Sequence, residues 1–310
     1  MSYAVLFPGQ GSQFVGMGAD VFEQRPDLLG EIADRHLGWP LHRLCLEGPD
    51  QELTRTDRAQ PALYAVSYAL WEEFRSRAPG PPEAAAGHSL GEYTALAAAG
   101  ALGHLDGLRL VAARGAAMGS AASLEPSGMA ALLGADEPSA EGIAAARRAE
   151  QGRLWVANLN APGQVVLSGG KADIQWLVEH AKDYGIRRAV PLKVAGAFHS
   201  PFMAPAAAEL RTAIGSVDFR NSEFPVWGNA TAAPLDADPA AALAEQLTAT
   251  VRFEESLRSM EAAGIEAFVH VGPGDVTAGL ASRTVEAPVF VVDRLEAIAG
   301  VAAELGASVQ

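Results

Sequence analysis

Short apolar runs alternate with helix-length segments along most of the chain. Five of these runs are predicted to be strands: Tyr3–Phe7, 83–86, 226–228, Ala267–Val271 and Val289–Val292. Helices are predicted between and beside them, at 27–37, 59–77, 92–100, 106–122 and 239–249. Such alternation is typical of an α/β fold whose sheet is mostly parallel.

The order of elements changes between residues 127 and 194. This stretch is predicted to contain strand 129–134, helix 140–150, a hairpin of strands 154–158 and 164–168, helix 172–184 and strand 188–194. The order β-α-β-β-α-β is that of the ferredoxin-like unit. We therefore expect a catalytic core of residues 1–126 and 195–310, with a ferredoxin-like subdomain of residues 127–194 inserted into it.

Composition narrows the class of protein. The 310 residues are 49% hydrophobic and 19% charged, so a sizeable core is available. A net charge of −14 argues against a general binder of nucleic acid or of a membrane surface. One cysteine, Cys45, excludes an internal disulfide and a cysteine-based zinc site. Without a basic leader or an apolar run of about 20 residues, the chain is expected to be soluble and cytoplasmic.

The segment Gly-His-Ser-Leu-Gly at 87–91 matches the nucleophile turn G-x-S-x-G between a strand and a helix. A serine on such a tight turn projects its hydroxyl away from the backbone, and glycines on either side remove Cβ atoms that would clash. The N–H groups at the start of the next helix can stabilise an oxyanion. Ser89 is therefore the candidate nucleophile. The alternative is a plain glycine turn in which serine caps the helix.

A serine nucleophile needs a base, and the chain has seven histidines. His199, in a loop after the small subdomain, and His270, at the end of a late strand, are the two candidates. The position of the base in hydrolases with this turn slightly favours His270, but sequence spacing does not decide between them. No acidic residue stands out as a partner, so a backbone carbonyl could orient the imidazole instead.

Arg114 follows the candidate serine by one helix. An isolated arginine is usually a surface residue. Here the neighbours Ala112, Ala113 and 115–117 are all small, which leaves room for the guanidinium to enter a pocket and bind a carboxylate. The glycine loops at 9–11 and 272–274 lack the residues of nucleotide-binding motifs.

Six segments occur together in a specific order along nearly the whole chain. They are Phe-Pro-Gly-Gln-Gly-Ser-Gln at 7–13, Gly-His-Ser-Leu-Gly-Glu-Tyr at 87–93, Arg-Gly at 114–115, Asn-Ala-Pro-Gly-Gln at 160–164, Ala-Phe-His-Ser at 197–200 and Val-Gly-Pro-Gly at 271–274. In this combination the chain resembles the malonyl-CoA:acyl carrier protein transacylases of fatty acid synthesis and the related acyltransferase domains of polyketide synthases.

The resemblance implies a fold and a set of roles. The fold is an α/β-hydrolase-like core with an inserted ferredoxin-like subdomain. Ser89 would be the nucleophile and His199 the base, held by a backbone carbonyl, while His270 would be structural. The backbone N–H groups of Gln10 and Leu90 would form the oxyanion hole.

The remaining roles concern the substrate. The resemblance implies that Arg114 grips the free carboxylate of the malonyl group, with Gln246 near the histidine. Asn160 would line the pocket, and Phe198 would crowd a branched substrate. Relatives usually carry a proline where this chain has Thr250, which leaves the geometry of that loop open.

The implied reaction is ping-pong transfer of malonyl from malonyl-CoA to the phosphopantetheine thiol of acyl carrier protein, through malonyl-Ser89. No metal or other cofactor is expected, and nothing demands more than a monomer. The basic stretch 171–193 is a candidate docking face for the carrier. Alternatives are an acyltransferase of polyketide synthesis, a serine esterase or thioesterase, and a scaffold without chemistry.

Overall fold

The computed structural model describes residues 1–235 and 238–307. These residues contain the following strands: β1 (Tyr3–Phe7), β2 (Ala84–Gly87), β3 (Ser127–Leu133), β4 (Leu154–Ala161), β5 (Gln164–Gly170), β6 (Arg188–Pro191), β7 (Val226–Trp227), β8 (Val251–Arg252), β9 (Ala267–Val271) and β10 (Val289–Val292).

Helices cover the faces of two sheets formed by these strands. They are α1 (Ala19–Gln24), α2 (Pro26–Leu29), α3 (Glu31–Leu37), α4 (Leu41–Glu47), α5 (Asp50–Leu53), α6 (Thr56–Arg75), α7 (Gly91–Ala98), α8 (His104–Leu124), α9 (Glu137–Ala149), α10 (Lys171–His180), α11 (Ala204–Ile214), α12 (Pro239–Gln246), α13 (Phe253–Ala262), α14 (Val276–Ala281) and α15 (Leu295–Ala307). Two short 3₁₀ helices lie at Ala181–Tyr184 and Pro201–Met203.

The first sheet is parallel throughout, with strand order β10-β9-β1-β2-β7. All five residues of β1 are buried, as expected for a central strand that helices cover on both faces. Phe7 at the end of β1 pairs with Gly87 at the end of β2. The loops that follow these strands therefore begin side by side, at the carboxyl edge where α/β folds place their ligands. The predicted α/β class and parallel sheet are confirmed.

The second sheet has the order β6-β3-β5-β4-β8. Its first four strands come from residues 127–194 and are antiparallel, with α9 and α10 between them in the predicted order β-α-β-β-α-β. The fifth strand, β8, comes from outside this stretch and runs parallel to β4. Sequence reasoning missed β8 because two residues carry no periodicity. The sheet is thus mixed, and its last strand ties the insert to the rest of the chain.

Several predicted boundaries shift. The helix predicted at 59–77 begins at Thr56, so Pro61 lies inside α6 instead of in its first turn. No side chain caps this helix, which removed the usual sequence signal for its start. The strand predicted at 188–194 ends at Pro191, and seven helices were not predicted: α1, α4, α5, α11, α13, α14 and α15. No helix in the described ranges is long and apolar enough to cross a membrane.

Candidate active site

Ser89 lies on a strained turn between β2 and α7. Its φ of +52° is in the left-handed region, which is uncommon for a residue with a side chain. The two flanking glycines are required by close backbone approaches. A Cβ on Gly87 would lie 1.9 Å from the carbonyl carbon of Gly91, and a Cβ on Gly91 would lie 2.3 Å from the Phe7 oxygen. The spacing Gly-x-Ser-x-Gly is therefore dictated by the fold of the turn.

Asn229 holds this turn from the segment that follows the neighbouring strand, β7. Its Oδ1 accepts a hydrogen bond from the Ser89 N–H at 2.7 Å, and its Nδ2 donates to the Gly87 oxygen at 2.7 Å. Sequence reasoning missed Asn229. The available signal was its place just after β7, because polar residues at the carboxyl ends of parallel strands gather at the ligand-binding edge.

His199 is the histidine that the structure places beside Ser89. Its Nε2 is 2.7 Å from the Ser89 Oγ, and its Nδ1 donates to the backbone oxygen of Gln246 at 3.0 Å. His199 also has a positive φ, +55°, so both members of the pair are held in uncommon backbone conformations. With Nδ1 protonated toward the carbonyl, Nε2 is left as the acceptor for the serine proton.

The His199 ring is neutral in this environment. Burial, together with the nearby Arg114 charge, lowers its pKa to about 3. Only 4% of the residue is exposed. The partner of the His199 Nδ1 is thus a backbone carbonyl and not a carboxylate, which agrees with the lack of a clear acidic candidate in the sequence.

His270 lies elsewhere. It is fully buried in β9, where its ring contacts the Thr277 hydroxyl and the Gly272 oxygen, which is 2.9 Å from Nε2. These contacts brace the loop after β9 and leave neither ring nitrogen free for Ser89. His88 is likewise occupied, with its Nε2 2.7 Å from Asn160 Oδ1.

Arg114 is buried, with 1% of the residue exposed, which excludes the alternative of a surface arginine and agrees with its predicted entry into a pocket. Its Nη2 donates to Ser89 Oγ at 3.0 Å and to Gln246 Oε1 at 2.9 Å, and its Nη1 donates to Gln60 Oε1 at 2.6 Å. Within residues 1–235 and 238–307 it has no salt bridge, and its Nε has no hydrogen-bond partner. A buried guanidinium without a direct salt bridge is costly, so the site is suited to a ligand that brings a carboxylate into contact with it.

Gln246 connects the histidine and the arginine. Its backbone oxygen accepts from His199, while its side-chain oxygen accepts from Arg114. Its Nε2 donates to the Ser89 oxygen at 2.9 Å and to Glu92 Oε2 at 3.0 Å. One residue at the end of α12 therefore positions the base, the cation and the turn that carries the nucleophile.

Glu92 and Gln60 are two buried polar residues that sequence reasoning missed. Glu92 Oε2 accepts from the Asn229 N–H at 2.8 Å as well as from Gln246. Burial raises the Glu92 pKa to about 7. Gln60 Nε2 donates to Thr56 Oγ1 at 2.8 Å, and that hydroxyl donates to Gln10 Oε1 at 2.9 Å. In the sequence, Glu92 stood out only as part of the serine motif. Gln60 lay in a predicted helix and carried no signal of a role in the site.

A cavity of about 180 Å³ opens beside these groups. Gln10, Leu90, Asn160 and Phe198 line it together with Ser89, His199 and Arg114. Along the described part of the chain, the backbone N–H groups of Gln10 and Leu90 donate to no protein backbone acceptor. The structure thus gathers the site residues named by the resemblance around one cavity, with Gln246 in contact with Arg114 and His199, while His270 lies elsewhere.

Thr250 lies in the loop between α12 and β8. Its hydroxyl donates to the backbone oxygen of Val156, in β4, at 2.9 Å. This bond anchors the loop that begins at Gln246, so the threonine ties down the segment whose carbonyl holds His199. Among the residues that the structure describes, no group of three or more His, Cys, Asp or Glu side chains is placed to hold a metal ion.

A family model described as an acyl transferase domain matches residues 5–299. The chain belongs to this acyltransferase family, and the protein is an acyltransferase. It is 42% identical over 284 residues to the malonyl CoA-acyl carrier protein transacylase of Bacillus subtilis, a match that covers 90% of this chain and 89% of that protein.

Solved structures give the same relationship. The acyl-carrier-protein S-malonyltransferase of Bartonella henselae is 37% identical, with a TM-score of 0.93 over 99% of this chain and 100% of that chain. A malonyl-transacylase solved in complex with a type II polyketide synthase acyl-carrier protein is 33% identical, with a TM-score of 0.91 over 96% of this chain and 98% of that chain.

Proposed function

We propose that the protein transfers the malonyl group from malonyl-CoA to the phosphopantetheine thiol of an acyl carrier protein in fatty acid synthesis. The observation that carries this proposal is the environment of one hydroxyl. Ser89 Oγ lies 2.7 Å from a neutral histidine nitrogen and 3.0 Å from a buried arginine that forms no direct salt bridge in the described ranges. A nucleophile, a base and a carboxylate-binding cation therefore meet at one point. The names of the relatives agree with this chemistry.

The first half-reaction acylates the serine. His199 Nε2 takes the proton of Ser89 as Oγ attacks the thioester carbonyl, and the N–H groups of Gln10 and Leu90 stabilise the oxyanion. Collapse of the tetrahedral intermediate breaks the carbon–sulfur bond, and His199 returns its proton to the CoA thiolate. A malonyl-Ser89 ester and free CoA thiol result.

The second half-reaction reverses the roles. The carrier thiol gives its proton to His199 and attacks the ester carbonyl, and the Ser89 oxygen leaves and takes the proton back. Arg114 holds the malonyl carboxylate throughout by charge-assisted hydrogen bonds. Asn160 and Phe198 are proposed to shape the pocket around the acyl group, so that a branched acyl group is disfavoured.

The two sheets support a domain division. We propose that residues 1–126 and 195–310 form an α/β-hydrolase-like core around the parallel sheet, and that residues 127–194 form a ferredoxin-like insert. The antiparallel order β6-β3-β5-β4 supports the insert. Because every group of the site comes from one chain, we propose that the protein acts as a monomer, and we expect it to do so in the cytoplasm.

The direct test is the intact mass of the protein after exposure to malonyl-, methylmalonyl- and acetyl-CoA. We expect a malonyl adduct on Ser89, discharged by a holo carrier protein and absent from Ser89→Ala. Absence of any adduct from the native protein would refute the proposal. Rapid release of free malonate without carrier would instead identify a thioesterase.

A discrete acyltransferase of polyketide synthesis is a second candidate, since one solved relative is bound to a polyketide synthase carrier. Discharge of malonyl-Ser89 by purified carriers of both pathways distinguishes the two roles. A clearly higher kcat/KM for the fatty acid carrier supports the first.

We propose that the carrier protein docks on the basic segment at residues 171–193 of this chain. Its five cations, Lys171, Lys182, Arg187, Arg188 and Lys193, are all exposed, and in the described ranges none forms a salt bridge. Leu192 and Val194, at the end of this segment, line the cavity that contains Ser89. An acidic carrier bound here would present its thiol at the mouth of the cavity.

Reversing the charge of Arg187 and Arg188 together should raise the KM for carrier protein by roughly tenfold, the equivalent of about 1.4 kcal/mol, with little change for malonyl-CoA. Arg211→Glu with Arg220→Glu is the matched control, because both arginines are exposed and neither lines the Ser89 cavity. Equal KM values for carrier in the two double variants would place docking elsewhere.

The pH dependence should reflect the neutral His199. Because its pKa is lowered to about 3, the base stays unprotonated through pH 6.5, where a free histidine titrates. We expect kcat/KM, which reports the free enzyme, to show no loss centred near pH 6.5 when the pH is lowered from 7 to 5 in short assays. A fall to half of the maximum at pH 6.5 on this acid side would contradict the buried, neutral base.

A further inference from the structure

Glu92 is a buried carboxyl group for which the reaction described above has no use. It lies on the first turn of α7, 1% exposed, three residues beyond the nucleophile. Its Oε2 accepts from the Asn229 backbone at 2.8 Å and from Gln246 Nε2 at 3.0 Å. Both partners also contact the turn that carries Ser89.

These contacts fix the orientation of the Gln246 amide. An amide has an accepting end and a donating end. The accepting end meets Arg114 at 2.9 Å, and the donating end meets Glu92. A flipped amide would place its N–H groups against the guanidinium and its oxygen against the carboxylate, which is unfavourable at both ends. Glu92 thus holds Gln246 in the orientation that positions Arg114.

Charge gives Glu92 a second role. Arg114 and Glu92 both form hydrogen bonds with the Gln246 side chain. Two other ionisable groups lie nearby. The Tyr93 ring lies 5.5 Å from the Arg114 guanidinium, and His199 donates to the backbone oxygen of Gln246. With an ionised Glu92, the empty site holds one cation and one anion. Entry of a substrate carboxylate adds a second anion to a buried site with one cation, which is strongly unfavourable unless a proton is taken up.

We propose that Glu92 is a positioning residue that orients Gln246 and takes up a proton when the malonyl carboxylate binds Arg114. The inference rests on the proposed function, because it requires a carboxylate at Arg114. The carboxyl then serves as a counterion in the empty site and becomes a neutral hydrogen-bonding group in the occupied one. The net charge of the site stays constant.

The titration behaviour of the surrounding groups agrees with this assignment. The Glu92 pKa is raised to about 7 by burial, against the opposing effect of Arg114. A malonyl carboxylate would offset the Arg114 charge and so raise the Glu92 pKa further. Burial also raises the pKa of Tyr93 and lowers that of His199, so both stay neutral near pH 7 to 8. Glu92 is the group whose proton binding can change there.

The first test is the pH dependence of KM for the malonyl thioester of N-acetylcysteamine, a substrate without titrating phosphates. Above pH 7 we expect KM to rise by up to about tenfold per pH unit in the native enzyme, because binding must then take up a proton. Glu92→Gln keeps an oxygen for Gln246 and Asn229 but cannot titrate, so its KM should be flat over this range. Glu83→Gln, at an exposed position, is the matched control and should keep the native profile.

The positioning role is tested by comparing two variants. Glu92→Ala removes the partner of Gln246 and should raise the KM for the malonyl thioester at pH 7 by about 10- to 100-fold, whereas Glu92→Gln should restore most of the loss. Equal losses in the two variants, each shown to be folded by circular dichroism, would overturn the orienting role.

Proton uptake is measured directly in a single turnover at pH 8 with an indicator dye, alongside the intact mass. The native enzyme should take up close to one proton per malonyl-Ser89 formed, and Glu92→Gln should take up none. Malonyl adduct without proton uptake would overturn this inference while leaving the proposed function intact. Absence of the adduct itself would overturn both.

Discussion

Arg114→Ala will lower kcat/KM for malonyl-CoA by about 10³-fold while leaving acetyl-CoA transfer undiminished or improved. Charge-assisted hydrogen bonds are worth about 1.5–3 kcal/mol each, and a guanidinium can make two of them to one carboxylate. The acetyl group carries no carboxylate, so its transfer loses no hydrogen bond when the guanidinium is removed. The measurement is a pair of kcat/KM values with each acyl-CoA.

The control for this variant lies on the same helix. Arg109 is exposed and paired with Asp106, so Arg109→Ala tests loss of an α8 arginine outside the cavity. We expect it to change neither kcat/KM value by more than about twofold. Equal losses for the malonyl and acetyl substrates in Arg114→Ala would mean that the arginine supports the nucleophile and does not bind the carboxylate.

His199→Ala will reduce the rate of Ser89 acylation by about 10⁴-fold, because the serine hydroxyl then has no base within reach. The readout is the time course of the malonyl adduct by intact mass. His270→Gln provides the comparison between the two candidate histidines. It loses the contacts that brace the loop after β9, so it should lower Tm while acylation stays within about tenfold of the native rate. The opposite pattern would make His270 the base.

Some of the fold could be predicted from local pattern. The central strands Tyr3–Phe7 and Ala267–Val271 were predicted with their observed bounds, because a buried parallel strand is a continuous apolar run between turn residues. The fifth strand of the second sheet, Val251–Arg252, was not, since its existence depends on pairing with β4 and not on its own residues.

The candidate site divides along the same line. Ser89 could be found because the turn imposes glycines at fixed spacing, a local constraint that is visible in any such segment. The residues themselves did not decide between His199 and His270, and position slightly favoured His270. Only the resemblance to a family favoured His199, and the structure then placed it 2.7 Å from the serine.

The amino-acid sequence alone determined the α/β class and the serine turn. It also provided the small residues around Arg114 that leave room for this side chain to be buried. The tertiary structure decided which histidine meets Ser89, that Arg114 is buried without a direct salt bridge in the described ranges, and that Asn229, Glu92 and Gln60 complete the network. The physical reason is range. Turn geometry acts over a few residues, whereas the hydrogen bonds of this network join residues separated by up to 157 positions.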